Sequence, residues 1–299
     1  MRRLHADLAL LAAAAIWGFA FLFQKSAMHH IGPLVFIAAR SAVACLALAP
    51  LAYVEQRSAC RIVRPHFASL SIAAGCAFFA GAALQQFGLM TASVTNTGFL
   101  TGLYVVLTPV IAWAALKRSP GAVAWAGVAI SAIGTWLLGG GSLASFSTGD
   151  LLVALSAIFW SAHVVLLSFA GRHGSPILFT LCQFMIVGLI AGTFALLFEP
   201  LSLDQLWQAR NEIAYVGLLS SALTFTLFTM ALRHTPPSEA AILASAETLF
   251  AAAAGYAVLG ERLDLTRSIG AGLIFTAIIF VQVAPLWKNR KHNAGPGAV

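Results

Sequence analysis

The sequence predicts an all-α integral membrane protein whose ten transmembrane helices form two five-helix repeats of inverted topology. Three observations predict it: a composition that only lipid can solvate, ten apolar runs with bases confined to one side, and self-similarity at a fixed offset. Of the 299 residues, 60% are hydrophobic and 9% charged, with mean hydropathy +0.89. Soluble domains carry about a quarter charged residues, so a water-soluble chain of this make-up would lack the polar surface to cover its core.

A helix crosses the hydrocarbon with about 20 apolar residues. Runs of that kind fall near 7–28, 33–53, 67–89, 94–116, 120–138, 150–169, 176–198, 211–232, 238–259 and 265–285. The first follows Met1-Arg2-Arg3 as a signal peptide would. Its apolar stretch continues from Leu8 to Phe23 without a clear cleavage site, so it reads as a retained helix. The connections are too short to hold a soluble domain. With both termini inside, the inner segments carry Arg2, Arg3, Arg57, Arg61, Arg64, Lys117, Arg118, Arg172, Arg233, Lys288, Arg290 and Lys291. The outer segments carry only Arg210, Arg262 and Arg267. Cytoplasmic loops concentrate Lys and Arg, so the chain is expected N-in and C-in. A missed helix would scramble that alternation.

An offset of 143 residues, which carries Pro33 onto Pro176, also aligns Asp7 with Asp150, Trp17 with Trp160, His30 with His173 and Phe36 with Phe179. The expected units are residues 7–138, residues 150–286 and a cytoplasmic tail, 287–299. Five helices per unit is an odd number, so the second unit starts from the opposite side of the membrane. Inverted repeats are a signature of alternating-access transporters, with the site near the midplane between the halves. A fossil duplication in a protein without transport is the other reading.

Ionisable groups inside a membrane are costly and therefore functional candidates. Four fall within the runs: Lys25, Arg40, His163 and Glu247. Glu247, near the centre of the ninth, reads as an anchor for a substrate ammonium or a proton, or as a paired carboxyl joining two helices. His163 lies one turn after Trp160 and reads as a proton relay, or as a histidine hydrogen-bonded between helices. Arg40 suits a carboxylate but can equally snorkel or bond backbone carbonyls, and is left undecided. For Lys25, snorkelling to the near surface is the simpler expectation. Trp17 and Trp160 lie about 15 Å deep at helical rise. With Phe79 and Tyr104 they are expected to form an aromatic cavity lining, the alternative being interhelical packing. In the fourth run, Asn96 to Tyr104 is rich in small and hydroxyl residues, and Pro109 frees a carbonyl that must be satisfied locally, as in a kinked gating element. Gly127 and Ser131 form a small-xxx-small packing step.

Other classes are disfavoured. The net charge of +7 is not clustered into a basic patch with interleaved aromatics, so nucleic acid is not an expected partner. Cys45, Cys60, Cys76 and Cys182 show no metal-ligand spacing, so neither zinc nor a disulfide framework is implied. No phosphate-binding G-x-x-x-x-G-K-[ST] loop occurs, so the chain is no ATP-driven pump by itself and implies no ATPase subunit. Without H-E-x-x-H or G-x-S-x-G, no catalytic constellation or cofactor is indicated.

Ala15-Ile16-Trp17-Gly18-Phe19 running to Lys25, then Pro33 and Arg40, resembles the opening of the first repeat in the drug/metabolite transporter superfamily, specifically the EamA-type ten-helix exporters. Leu259-Gly260-Glu261-Arg262-Leu263 followed by Gly270 resembles that family's segment between the ninth and tenth helices, and Ala246-Glu247 falls where it often has Glu-Pro. Thr248 stands in place of that proline, and Lys117-Arg118-Ser119-Pro120 replaces a Gly-Glu-Arg step in the first half. The resemblance spans nearly the whole chain and implies an exporter of metabolites in a bacterial-type inner membrane. Members include exporters of amino acids, an aromatic amino-acid branch among them, and of drugs. An aromatic, weakly polar lining with few bases suits amino acids with aromatic or hydrophobic side chains better than phosphorylated compounds, which want several Lys or Arg. Glu247 would then face the ammonium and Asn96 the carboxylate. The alternatives are a multidrug exporter of lipophilic cations and, more remotely, an intramembrane enzyme or lipid-handling protein.

Overall fold

Each apolar run becomes helix because hydrocarbon offers no partner for a backbone N–H or C=O, and a helix satisfies both within one segment. The computed structural model describes residues 3–59, 66–117, 119–141, 147–171, 175–260, 262 and 264–293. Arg2, Cys60, Arg61, Arg64, Arg118, Arg172, His173, Glu261 and Leu263, named above, lie outside the described residues, as do the side chains of Lys288, Arg290 and Lys291. The first half comprises α1 (Arg3–Ala27), α2 (Pro33–Ala59), α3 (Phe67–Leu89), α4 (Val94–Thr101), α5 (Tyr104–Leu116) and α6 (Ala122–Leu138). The second comprises α7 (Thr148–Gly171), α8 (Pro176–Phe198), the short α9 (Leu203–Gln208), α10 (Arg210–Ala214), a π-helix (Tyr215–Leu223), α11 (Thr224–Ala231), α12 (Pro237–Ala244), α13 (Ala246–Leu259) and α14 (Leu265–Asn293). Eight spans are long and apolar enough to cross a bilayer; the fifth and tenth, Ala122–Leu138 and Leu265–Val281, are shorter.

Hydropathy alone misses three details. The fourth and ninth spans are broken near their middles, the eighth contains the π-helix, and α14 continues past residue 285 to Asn293. Pro109 is not the cause of the fourth-span break. It sits inside α5, whereas the helix is interrupted at Gly102–Leu103. The ninth span breaks at Ser245, the residue equivalent to Gly102, without any proline nearby in its second segment.

The offset of 143 that carries Pro33 to Pro176 also carries Val94, the start of α4, to Pro237, the start of α12. It carries Phe67 to Arg210 and Ala122 to Leu265, again element starts. Packing follows the same exchange. The first helix of each half lies against the third and fourth spans of the other, while α2 pairs with α8 and α6 with α14. With five spans per half, this exchange is the inverted repeat. Ten spans return the chain to the side where it began, so one membrane face carries both termini.

Antiparallel α2 and α8 cap each other. Glu199, just beyond the end of α8, accepts hydrogen bonds from Leu34 N (3.0 Å) and Val35 N (2.8 Å) in the first turn of α2. Glu55, in the last turns of α2, accepts one from Leu178 N (3.1 Å) at the start of α8. Helix N-termini leave their first N–H groups unsatisfied and favour negative charge, so each carboxylate completes the other half's helix. Glu199→Gln is expected to cost about 1 kcal/mol, read as a fall of roughly 2 °C in the melting temperature of detergent-solubilised protein. Glu55→Gln should cost less, and equal, zero effects for both would contradict the capping role. At the α6–α14 crossing, a Cβ on Gly134 would stand 2.8 Å from Gly270 O, so the helices touch backbone to backbone. Ser131 Oγ and Ser245 Oγ lie 3.2 Å apart at the neighbouring contact with the ninth-span break.

Candidate functional site

Between the halves lies a cavity of about 600 Å³, within the usual size of a small-molecule site. Its walls come from equivalent positions of the two repeats. The first helices contribute Trp17 and Trp160, and Tyr104 and Glu247 follow the two helix breaks at positions related by the offset. The ends differ in character. Toward the face carrying the termini, Trp17 packs 4.9 Å from Phe225 and 5.2 Å from Phe228, centroid to centroid. Phe78 meets Trp160 and Phe225 edge-on at 5.0 and 4.9 Å. Toward the opposite face the lining is polar: Gln24, Arg40, Gln85 and Thr101. Gln24 and Gln85 lie in the last turns of α1 and α3 on that side.

The eighth-span π-helix sets the orientation of one tryptophan. Trp17 Nε1–H donates to the backbone carbonyl of Ser220, inside the π-helix, at 3.0 Å. Wide π turns occur mostly at functional positions. The equivalent stretch of α3 is regular α-helix, and Trp160 Nε1 has no hydrogen-bond partner among the described residues. Gly217, also in the π-helix, brings this segment onto α2: a Cβ there would meet Arg40 O at 3.0 Å.

Arg40 is 4% exposed. Its guanidinium lies 5.8 Å from the Phe36 ring centroid and 5.5 Å from that of Phe78. Its Nε has no hydrogen-bond partner, and it joins neither ion pair found among the described residues. Glu247 is equally buried, in the first turn of α13, and its Oε1 likewise lacks a partner, as does the hydroxyl of neighbouring Tyr104. Buried polar groups are nearly always paired in native proteins, and exceptions call for water, an ion or a ligand. Four such groups surround this one cavity. His163 differs: Nε2 and Gln183 Oε1 share a 2.9 Å hydrogen bond tying α7 to α8, while its ring edges Phe78 at 5.4 Å.

The cavity thus gathers Trp17, Tyr104, Trp160, His163, Glu247 and the undecided Arg40. It does not gather Phe79 or Asn96. Phe79 is rotated about 100° from Phe78 around α3 and stacks on Phe194 of α8 at 6.0 Å. Asn96 stands in the first turn of α4, close to the membrane surface, where Nδ2 donates to Asp150 Oδ1 at 3.3 Å. Asp150 is itself fixed by a reciprocal box with Ser147. Nor does Lys25 snorkel. Its Nζ donates to Leu89 O (2.6 Å) and Ala92 O (3.0 Å), closing the carbonyl end of α3. Sequence reasoning missed Phe78, Phe225 and Phe228. It also passed over Gln24 and Gln85, though amides within apolar runs are a readable signal.

Two stretches, residues 4–140 and 147–283, each match the EamA-like transporter family. An uncharacterised transporter of Archaeoglobus fulgidus is 30% identical over 289 residues, 95% of this chain and 87% of that protein. The uncharacterised transporter YoaV of Bacillus subtilis is 22% identical over 279 residues, 91% and 94% of the respective chains. A solved crystal structure superposes with TM-score 0.75 at 16% identity, covering 97% of this chain and 99% of the other; that likeness is one of fold.

Proposed function

The chain belongs to the EamA-like transporter family, and on that premise we infer that it exports amino acids with aromatic or hydrophobic side chains by alternating access through the cavity between the repeats. Family membership makes it a multi-pass membrane transporter of small molecules and not an enzyme. The observation that carries the substrate reading is the pairing of an aromatic pocket with a buried carboxyl, Glu247, whose Oε1 is unpartnered. The apolar side chain packs against Trp17, Phe78 and Phe225, and the ammonium approaches Glu247. The distribution of Lys and Arg supports termini in the cytoplasm of a bacterial-type inner membrane. On that orientation the polar end of the cavity faces outward.

Lipophilic cations are the second reading, since ring faces and a carboxylate both attract them. Arg40 in the same lining opposes it, because an unpaired guanidinium repels a substrate that carries only positive charge. A ligand that binds the folded state raises its melting temperature, which separates the two readings. In detergent, phenylalanine, tryptophan or leucine at millimolar concentration should stabilise the protein, and cationic dyes should not. Stabilisation by dyes alone would transfer the assignment to drug export.

A further inference from the structure

We propose that Arg40 is the carboxylate anchor of the transported molecule and makes the site selective for zwitterions over the corresponding amines. This rests on the amino-acid reading and deepens it. Asn96, the polar group expected to meet the carboxylate, is held by Asp150 at the membrane surface, so that role passes to another residue. Arg40 is the cation in the cavity wall, and it is buried with its Nε unpartnered. An unpaired charge inside a membrane is expensive, and a planar guanidinium offers two parallel N–H donors matched to a carboxylate. Its aromatic neighbours Phe36 and Phe78 fix the plane of the fork without using its donors.

Position along the membrane normal agrees. Arg40 is seven residues into α2 from Pro33, about 10 Å from that face at helical rise. Glu247 is twelve residues from the end of α13 at Leu259, about 18 Å from the same face. The resulting axial gap of roughly 8 Å admits an α-ammonium and an α-carboxylate, each with one hydrogen bond of about 2.9 Å to its partner. The unpartnered indole N–H of Trp160 supplies a further donor in the same lining. The zwitterionic head therefore lies between Arg40 and Glu247, with the side chain pointing toward Trp17 and Phe228.

The test is flux in liposomes containing the purified full chain, with labelled phenylalanine and competition by unlabelled phenylalanine, phenylalanine methyl ester and phenethylamine. Wild type should be inhibited by phenylalanine at a concentration at least about tenfold below either carboxylate-free analogue, the scale of a hydrogen bond to a charged group. Arg40→Gln should erase that ratio, and Arg40→Lys should restore part of it. Inhibition constants for the analogues should be unchanged between wild type and R40Q. If R40Q reaches the liposomes too poorly to assay, the wild-type and R40K ratios decide: equal inhibition by amino acid and amine overturns the assignment. A full ratio persisting in R40Q overturns Arg40's role and leaves the amino-acid reading standing. Wild-type transport of phenethylamine without phenylalanine overturns both.

Discussion

Glu247→Gln is expected to reduce amino-acid flux about 100-fold or more while leaving the protein folded, the scale of losing one partner in a desolvated charge contact. The substitution keeps shape and volume and removes the charge. The carboxyl joins neither ion pair found among the described residues, and its Oε1 has no hydrogen-bond partner there. Little structural binding is therefore lost, and the effect should fall on transport. Flux into liposomes, with monodispersity in detergent as the folding control, separates the two. Undiminished flux would remove Glu247 from the mechanism.

Gly18→Leu carries the second large effect. Here α1 and α13 touch through backbone: a Cβ at Gly18 would stand 2.6 Å from Glu247 O and 2.9 Å from Ala251 N. Neither atom can swing aside as a side-chain tip can, so the helices must separate, at a cost of about 1–3 kcal/mol or more for overpacking. These are the helices that carry Trp17 and Glu247. The expected result is a severalfold loss of monodisperse protein, with little flux in what remains. The equivalent position in the second half is Ser161, on α7, whose hydroxyl bonds Ala157 O at 2.7 Å and lies 3.4 Å from Tyr104 O. That position already holds a side chain, so Ser161→Ala should be mild. Equal tolerance of Gly18→Leu and Ser161→Ala would contradict the close packing argued for α1 and α13.

Much of the architecture was legible because bilayer thickness imposes a length on every apolar run, and length is a one-dimensional property. The offset between the halves was readable from Trp17, Trp160, Pro33 and Pro176 because a duplicated fold retains landmarks that an Ala- and Leu-rich background does not produce by chance. It holds to the residue at the starts of α4 and α12. The site was harder to read. Adjacent Phe78 and Phe79 look alike in sequence, and only helix rotation sends one into the cavity and the other onto Phe194. Phe225 follows a π-helix that shifts the register of everything after it, and no periodicity argument anticipates that. Asn96 and Lys25 were misplaced for a shared reason: a polar side chain near a helix end has partners across the interface, Asp150 for one and the carbonyls of α3 for the other. Arg40 could not be assigned from sequence because snorkelling and cavity lining differ only in which face of α2 carries it.

The central claim, that the cavity between the repeats carries amino acids across the membrane, is tested most directly by counterflow. Liposomes containing the purified chain are loaded with unlabelled phenylalanine and diluted into a trace of the labelled form. The account predicts rapid, saturable accumulation of label that leucine and tryptophan inhibit and that Glu247→Gln abolishes. Folded protein in the liposomes without accumulation of any amino acid, or accumulation unaffected by Glu247→Gln, would contradict it.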